Sequence, residues 1–291
     1  MRINKAPPDA NHSGRLRQSV TRRRFLAEGA GALVAGTILR PGSALGAVAA
    51  TSGGSGDRIP RVAFTWDNGF ASLFRNGLPM FKEHRLPGTL YVTSGRMSNP
   101  DFPTSCTWGQ IDGFAEAGWE ISNHSRHHRD LRRVGWRAAE ADMMQGKEDL
   151  VARGYSTAGY AYPYHQRTEE LLRAVAEYHE YGRCGGAGLS VGLRRISDVG
   201  ELVLLPSINM GHKTARAMID ITRQVCFQGG RSLVWLCHQV QPIRMDGPGQ
   251  TQSVEPAELY AYLRWVAVQQ RGGRVRVRTC RDLVRENLMR S

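Results

Sequence analysis

The stretch "RVAFTWDNGF", residues 61–70, opens as a buried strand and closes on polar groups. Val62, Ala63 and Phe64 are apolar, and Thr65 and Trp66 suit a strand; Asp67, Asn68 and Gly69 then stand side by side. Two readings are open. Asp-Asn and Asn-Gly pairs form turns, so the stretch can be a plain strand end. The alternative is that the polar groups sit where α/β barrels keep their chemistry, at the C-terminal ends of parallel strands.

Working outward, short β-like runs alternate with helical stretches from residue 58 onward. Strands are predicted at 61–66, 87–93, 119–123, 159–163, 179–184, 201–209, 232–237 and 274–279. Helical stretches lie near 71–84, 107–117, 136–153, 168–178, 213–228, 255–270 and 281–289. This alternation argues for parallel βαβ units in an α/β fold, and at this length for a distorted (β/α) barrel of seven or eight strands. No linker or repeat interrupts the run, which predicts one domain over residues 59–291.

Residues 1–49 read differently. "TRRRFL", residues 21–26, precedes the uncharged run "GAGALVAGTIL", residues 29–39, and then the small residues of "GSALGAVAA". Basic region, apolar region and small-residue cleavage zone are the parts of an export signal, and the apolar part is too short to span a bilayer. Thr-Arg-Arg-x-Phe-Leu resembles the twin-arginine signal, which implies transient contact with that translocase and a periplasmic, cell-wall or secreted destination. Residues 50–58 read as a flexible linker.

The net charge is +13, of which +6 falls in residues 1–50. The remaining charge is scattered, with no basic helix stripe or aromatic-interleaved basic segment, so nucleic acid is not the expected partner. A mildly cationic surface suits an anionic polymer such as a cell-wall glycan. The five cysteines form no CxxC or CxxH pair, which removes a zinc-thiolate site; outside the inner membrane one or two disulfides are possible.

Other predicted strands also end in chemistry. The third runs into "NHSRHH", residues 123–128, with His124 and His128 one helical turn apart and able to grip one metal ion if a turn of helix begins there. The fourth runs into "YAYPYH", residues 160–165, and the seventh into "LVWLCHQ", where His238 follows an apolar run. Each histidine alone has a bland reading as an exposed or structural group. Four such strand ends together favour a site.

The order and spacing resemble the polysaccharide deacetylases, the NodB homology group or carbohydrate esterase family four. The matching motifs are Thr65-Trp66-Asp67-Asn68-Gly69, His124-Ser125-Arg126-His127-His128, Tyr160-Ala161-Tyr162-Pro163-Tyr164-His165 and Leu233 to His238. The resemblance implies a NodB-like barrel and a metal-dependent hydrolase that removes N- or O-acetyl groups from a glycan. It implies a divalent metal, usually zinc, held by Asn68, His124 and His128. It implies Asp67 as general base, His238 as general acid and the Tyr164 backbone N–H toward the oxyanion; Trp66 and His165 stand beside these motifs as candidate substrate-lining residues.

Four departures accompany the match. Asn68 stands where a carboxylate is usual, Ala161 where many members carry an arginine that orients the catalytic acid, and His165 where glycine is usual, close enough to line the cleft or substitute as a ligand. A fourth motif with its Asp and Trp is not evident, which leaves Asp198 as a candidate partner of His238. Two further functions stay open: a catalytically impaired barrel that binds glycan, and a hydrolase of a small non-peptide amide.

Overall fold

The computed structural model describes residues 59–185, 199–243 and 252–288. The predicted export signal, the linker and Asp198 lie outside these residues. The chain alternates as predicted. β1 (Arg61–Asn68) is followed by a π-helical turn (Leu73–Gly77) and α1 (Leu78–His84), then β2 (Thr89–Val92), α2 (Trp108–Glu116), β3 (Glu120–Asn123), α3 (Leu131–Val151), β4 (Gly159–Ala161), α4 (Glu169–Tyr178) and β5 (Tyr181–Arg183). The second half adds α5 (Val199–Leu202), β6 (Ile208–Asn209), α6 (Ala215–Thr222), β7 (Leu233–Cys237), β8 (Gln239–Val240), β9 (Ser253–Val254), α7 (Pro256–Arg271), β10 (Arg276–Arg278) and α8 (Cys280–Leu288).

The main sheet is parallel throughout, in the order β5-β4-β3-β2-β1-β7-β6. β1 pairs with β7 on one edge, while β10 and β2 divide the other edge between Arg61–Ala63 and Thr65–Asn68. The sheet curls. Leu205 bridges to Arg183 at one border, and Ile208–Asn209 pair with Trp235–Leu236 at the other. One short segment thus spans the gap between the outer strands. The prediction of a single strand over 201–209 gives way here to a helical turn at Val199–Leu202 and a two-residue strand. Pro206, which has no N–H to donate to a ladder, separates the two.

Alternation along β1 sorts the side chains. Val62, Phe64 and Trp66 join the hydrophobic core beneath the helices, where Phe64 and Trp66 meet Phe81 edge-on at 5.2 and 6.2 Å. Phe81 meets Trp119 at 4.9 Å, and such aromatic pairs contribute about 0.5–1.5 kcal/mol each beyond area burial. Thr65 and Asp67 point the other way, into the barrel. Gly159 on β4 leaves room there, since a Cβ on it would come 2.2 Å from the Tyr181 ring.

α8 closes the end where the strands begin. Its first N–H groups meet β-strand side chains: Cys280 N donates to Thr89 Oγ1 at 2.8 Å and Arg281 N to Glu120 Oε2 at 2.9 Å. Glu120 also accepts from Thr89, Ser122 and Tyr181. Burial nevertheless raises its pKa, because four donors offset only part of the desolvation of a buried carboxylate. The opposite end of the barrel carries the predicted motifs.

All five cysteines are buried and free, so no disulfide forms. Burial pushes four of the thiols, Cys106, Cys226, Cys237 and Cys280, up to about 12.

Candidate active site

β1 delivers Asp67 to the mouth of the barrel, and the next residue turns the chain. Asn68 has φ +71° and Gly69 φ +74°, the left-handed region that Asn and Gly tolerate. The same backbone state recurs around the mouth at Ser125, His128, Tyr164 and His165. Five of the eight described non-glycine residues with positive φ therefore lie at this one site. Such strain persists only where surrounding contacts hold it, and it collects at functional sites.

Those contacts can be named. Asn123, the last residue of β3, donates to Met143 O on α3 at 2.8 Å and accepts from Ser125 N at 2.9 Å. Ser125 Oγ accepts from His128 N at 2.9 Å, and buried Asp142 accepts from His127 N at 3.0 Å. Gly146 lets α3 lie against this loop, for a Cβ there would come 2.6 Å from Asn123 Oδ1 and from Ser125 C. The loop 124–128 is thus clamped to α3 and holds His124 and His128 in place.

Asp67 is the centre of the arrangement. Its Oδ1 accepts a hydrogen bond from Arg183 of β5, and its Oδ2 lies 3.8 Å from His124 Nε2 and 3.9 Å from His238 Nε2. Burial alone would raise its pKa. The charge of Arg183, with the hydrogen bond it donates, outweighs burial and holds the carboxyl well below the usual range. Asp67 is therefore ionised at neutral pH. The histidines go the other way: burial keeps His124 well below its ordinary value and brings His128 and His238 down to about 4. All three are neutral at pH 7.

His124 and His128 are the residues able to hold a metal. His124 Nδ1 donates to Ala161 O at 2.8 Å, which leaves the lone pair on Nε2 and fixes the ring. A metal-binding histidine anchored through its other nitrogen to a carbonyl has this form. The His128 ring packs edge-on to His124 at 4.7 Å, and its buried Nδ1 has no hydrogen-bond partner among the described residues. Two neutral imidazoles side by side, one with an unpaired buried nitrogen, fit a divalent cation. Asn68 is buried beside them and its Oδ1 accepts from Thr93 Oγ1 at 3.3 Å, a contact that leaves the oxygen a second lone pair. Among the described residues no cluster of three or more His, Cys, Asp or Glu is arranged to hold a metal, which leaves the Asn68 amide as the neighbouring group able to add a donor to the two imidazoles.

Two predicted roles change. Trp66 is fully buried in the core against Phe81 and does not line the site. His165 lines the cleft, but its Nδ1 accepts from Gly185 N at 3.0 Å. A neutral ring so bound carries its proton on Nε2, which leaves neither nitrogen for a metal. His165 is a donor and not a substitute ligand. Tyr164 does stand at the mouth, 54% exposed, with its ring 4.5 Å from that of His128. His238 Nδ1 is buried with no hydrogen-bond partner among the described residues.

Comparison with known proteins agrees with the fold. Residues 55–181, less than half of the chain, match the family model for polysaccharide deacetylase. Among solved structures, a peptidoglycan N-acetylglucosamine deacetylase superposes with a TM-score of 0.52 at 18% identity, covering 79% of this chain and 91% of that one. The Xyl-CE4 domain of a multidomain xylanase from the hindgut metagenome of Trinervitermes trinervoides gives 0.51 at 13% identity, covering 78% and 90%. A family 4 acetyl xylan esterase from Clostridium thermocellum, in complex with a cobalt ion, gives 0.50 at 17% identity, covering 78% and 91%. No protein of curated function matches the sequence. The chain has the NodB-like (β/α) barrel fold of the family 4 carbohydrate esterases.

Proposed function

We propose that this chain is an exported, metal-dependent hydrolase that removes acetyl groups from a glycan. The observation that carries the reading is that one carboxylate oxygen, Asp67 Oδ2, faces the imidazoles of both His124 and His238 at just under 4 Å. The polysaccharide deacetylase match over residues 55–181 supports the substrate class.

His124 and His128, with Asn68 as the third donor, would hold a divalent ion, zinc by the chemistry of the imidazole pair. When bound, such an ion polarises an acyl carbonyl and acidifies water. Asp67, ionised and fixed by Arg183, takes a proton from the attacking water. His238 starts neutral, so it delivers a proton acquired during the reaction, from Asp67 Oδ2 beside it, to the departing sugar oxygen or nitrogen. The Tyr164 backbone N–H serves the developing oxyanion, and the Nε2–H of His165 offers a donor to the sugar.

Acetate release from peptidoglycan, chitin oligomers and acetylated xylan tests the reading, before and after chelation and zinc readdition. Zinc-loaded protein that frees no acetate from any of them sinks it. Binding to one of these polymers without release would favour the glycan-binding barrel. Export rests on residues 21–26: replacing Arg22, Arg23 and Arg24 by lysine is expected to leave precursor in the cytoplasm, and unimpaired export would exclude the twin-arginine route.

A further inference from the structure

Asp67 is held by a residue outside the quoted motifs. Arg183 leaves β5 toward the barrel interior, is fully buried, and donates from Nη2 to Asp67 Oδ1. Its guanidinium lies 5.0 Å from the centre of the Tyr91 ring. Its Nε and Nη1 are buried with no hydrogen-bond partner among the described residues. Stability alone does not explain this group. A buried ion pair is often no better than apolar side chains of the same volume, and unpaired donors add a further cost. What the guanidinium does achieve is geometric. With Oδ1 tied, the carboxylate is turned so that Oδ2 faces His124 and His238.

The register shows where else such a cation could stand. Ala161 on β4 pairs directly with Arg183 on β5. Partners in a parallel ladder leave the sheet on the same face, so both side chains enter the barrel at the same level. β4 is one strand closer to β1 than β5 is, yet its interior position carries only a methyl group.

We infer that Arg183 is a positioning residue for Asp67, supplied by β5 in place of a cation at the facing position of β4, which Ala161 occupies. The inference rests on the hydrolase reading only in taking Asp67 as the reacting carboxylate.

The test compares wild type, Arg183→Met, Arg183→Lys, and Arg183→Met combined with Ala161→Arg. Acetate release gives kcat and KM, and circular dichroism with thermal melting confirms folding. Arg183→Met is expected to lower kcat by about 100-fold, the scale of a misplaced catalytic group, with KM within about threefold. Arg183→Lys, which keeps charge but loses the planar fork, is expected to remain at least about tenfold below wild type. Adding Ala161→Arg to Arg183→Met should recover at least about tenfold in kcat, which a merely structural role of Arg183 would not produce. Folded Arg183→Met with wild-type kcat overturns the inference, as does a folded double variant no better than Arg183→Met. Should Arg183→Met fail to fold, full activity of Arg183→Lys overturns it. If wild type itself releases no acetate, the hydrolase reading fails separately. Crystal structures then decide the positioning, with Oδ2 of Asp67 facing both histidines in wild type and the double variant but swung away in Arg183→Met.

Discussion

Arg183 and Asp67 lie 116 residues apart in the chain and share a buried hydrogen bond across the barrel. The bond joins the first strand to the fifth and fixes the one carboxylate that faces two histidines. Asp67 holds the Arg183 charge, and in the proposed reaction it would also accept a proton.

Asp67→Asn separates these duties. The amide keeps the shape but leaves Arg183 as an uncompensated buried charge, which is expected to cost about 3–5 kcal/mol of stability. Loss of the general base is expected to lower kcat by about 10²–10⁴. Urea unfolding reads the first and acetate release the second. A variant as stable as wild type would show that Arg183 finds another partner.

The buried histidines make the metal-free fold acid-sensitive. His179 accepts from Asn123 Nδ2 at 3.2 Å, taking the Asn123 amide as donor, and burial, helped by Lys147, brings its pKa down to about 3. The folded protein thus refuses a proton that the unfolded chain accepts below about pH 6.5. Its contribution is complete above that pH and is lost as pH falls toward 3. His179→Gln keeps an acceptor for Asn123 and removes the titration. Between pH 6 and 4 the slope of unfolding free energy against pH should shrink by up to about 1.4 kcal/mol per unit, one proton's worth. An unchanged slope would mean that His179 is protonated in the fold.

Gly146→Ala sets two effects against each other. Alanine in a helix interior gains about 1 kcal/mol over glycine. The new methyl would meet Asn123 Oδ1 and the Ser125 and Arg126 backbone at 2.6–2.8 Å, where the neighbour must move. Overpacking of this kind costs about 1–3 kcal/mol, so net destabilisation is expected, together with weaker zinc binding as the 124–128 loop shifts. Gly109→Ala is the control, since nothing lies within 4 Å of its added Cβ and stabilisation should result. Similar shifts in melting temperature for both variants would show that the loop yields freely.

Much of this was legible in the chain because strand ends announce themselves. Asp67, Tyr164 and His238 each follow a short apolar or aromatic run, His124 ends a short predicted strand, and the structure brings all four to one mouth. Trp66 was misplaced by reading the motif as a unit. Strict alternation already puts Trp66 with Phe64 and Val62, opposite Asp67. Arg183 was missed for a different reason. Inside "YGRC", residues 181–184, it looks like any polar residue of a short strand, and its partner lies across the barrel, beyond the reach of periodicity. The available hint was the small residue at Ala161, which left Asp67 without a cation and required one elsewhere. The break within 201–209 turned on Pro206, which outweighed the apolar pattern on both sides.

Asn68 returns the question to the stretch 61–70. Its backbone has φ +71°, which both Asn and Asp tolerate, so Asn68→Asp changes charge with little change of shape. The carboxylate would keep the Thr93 hydroxyl as donor and add a negative charge beside His124 and His128. It would also stand next to Asp67, whose charge Arg183 already balances, so the extra repulsion and desolvation weigh against the gain. Without metal these terms should destabilise the variant. With metal, attraction to a dication at close range exceeds repulsion from a neighbouring charge that is already paired. The zinc dissociation constant of Asn68→Asp is therefore expected to fall by at least about tenfold, or 1.4 kcal/mol, and that of Asn68→Ala to rise. Calorimetric titration of the three proteins measures this directly. Equal affinities would make Asn68 a turn residue alone and leave His124 and His128 without a third donor from this strand.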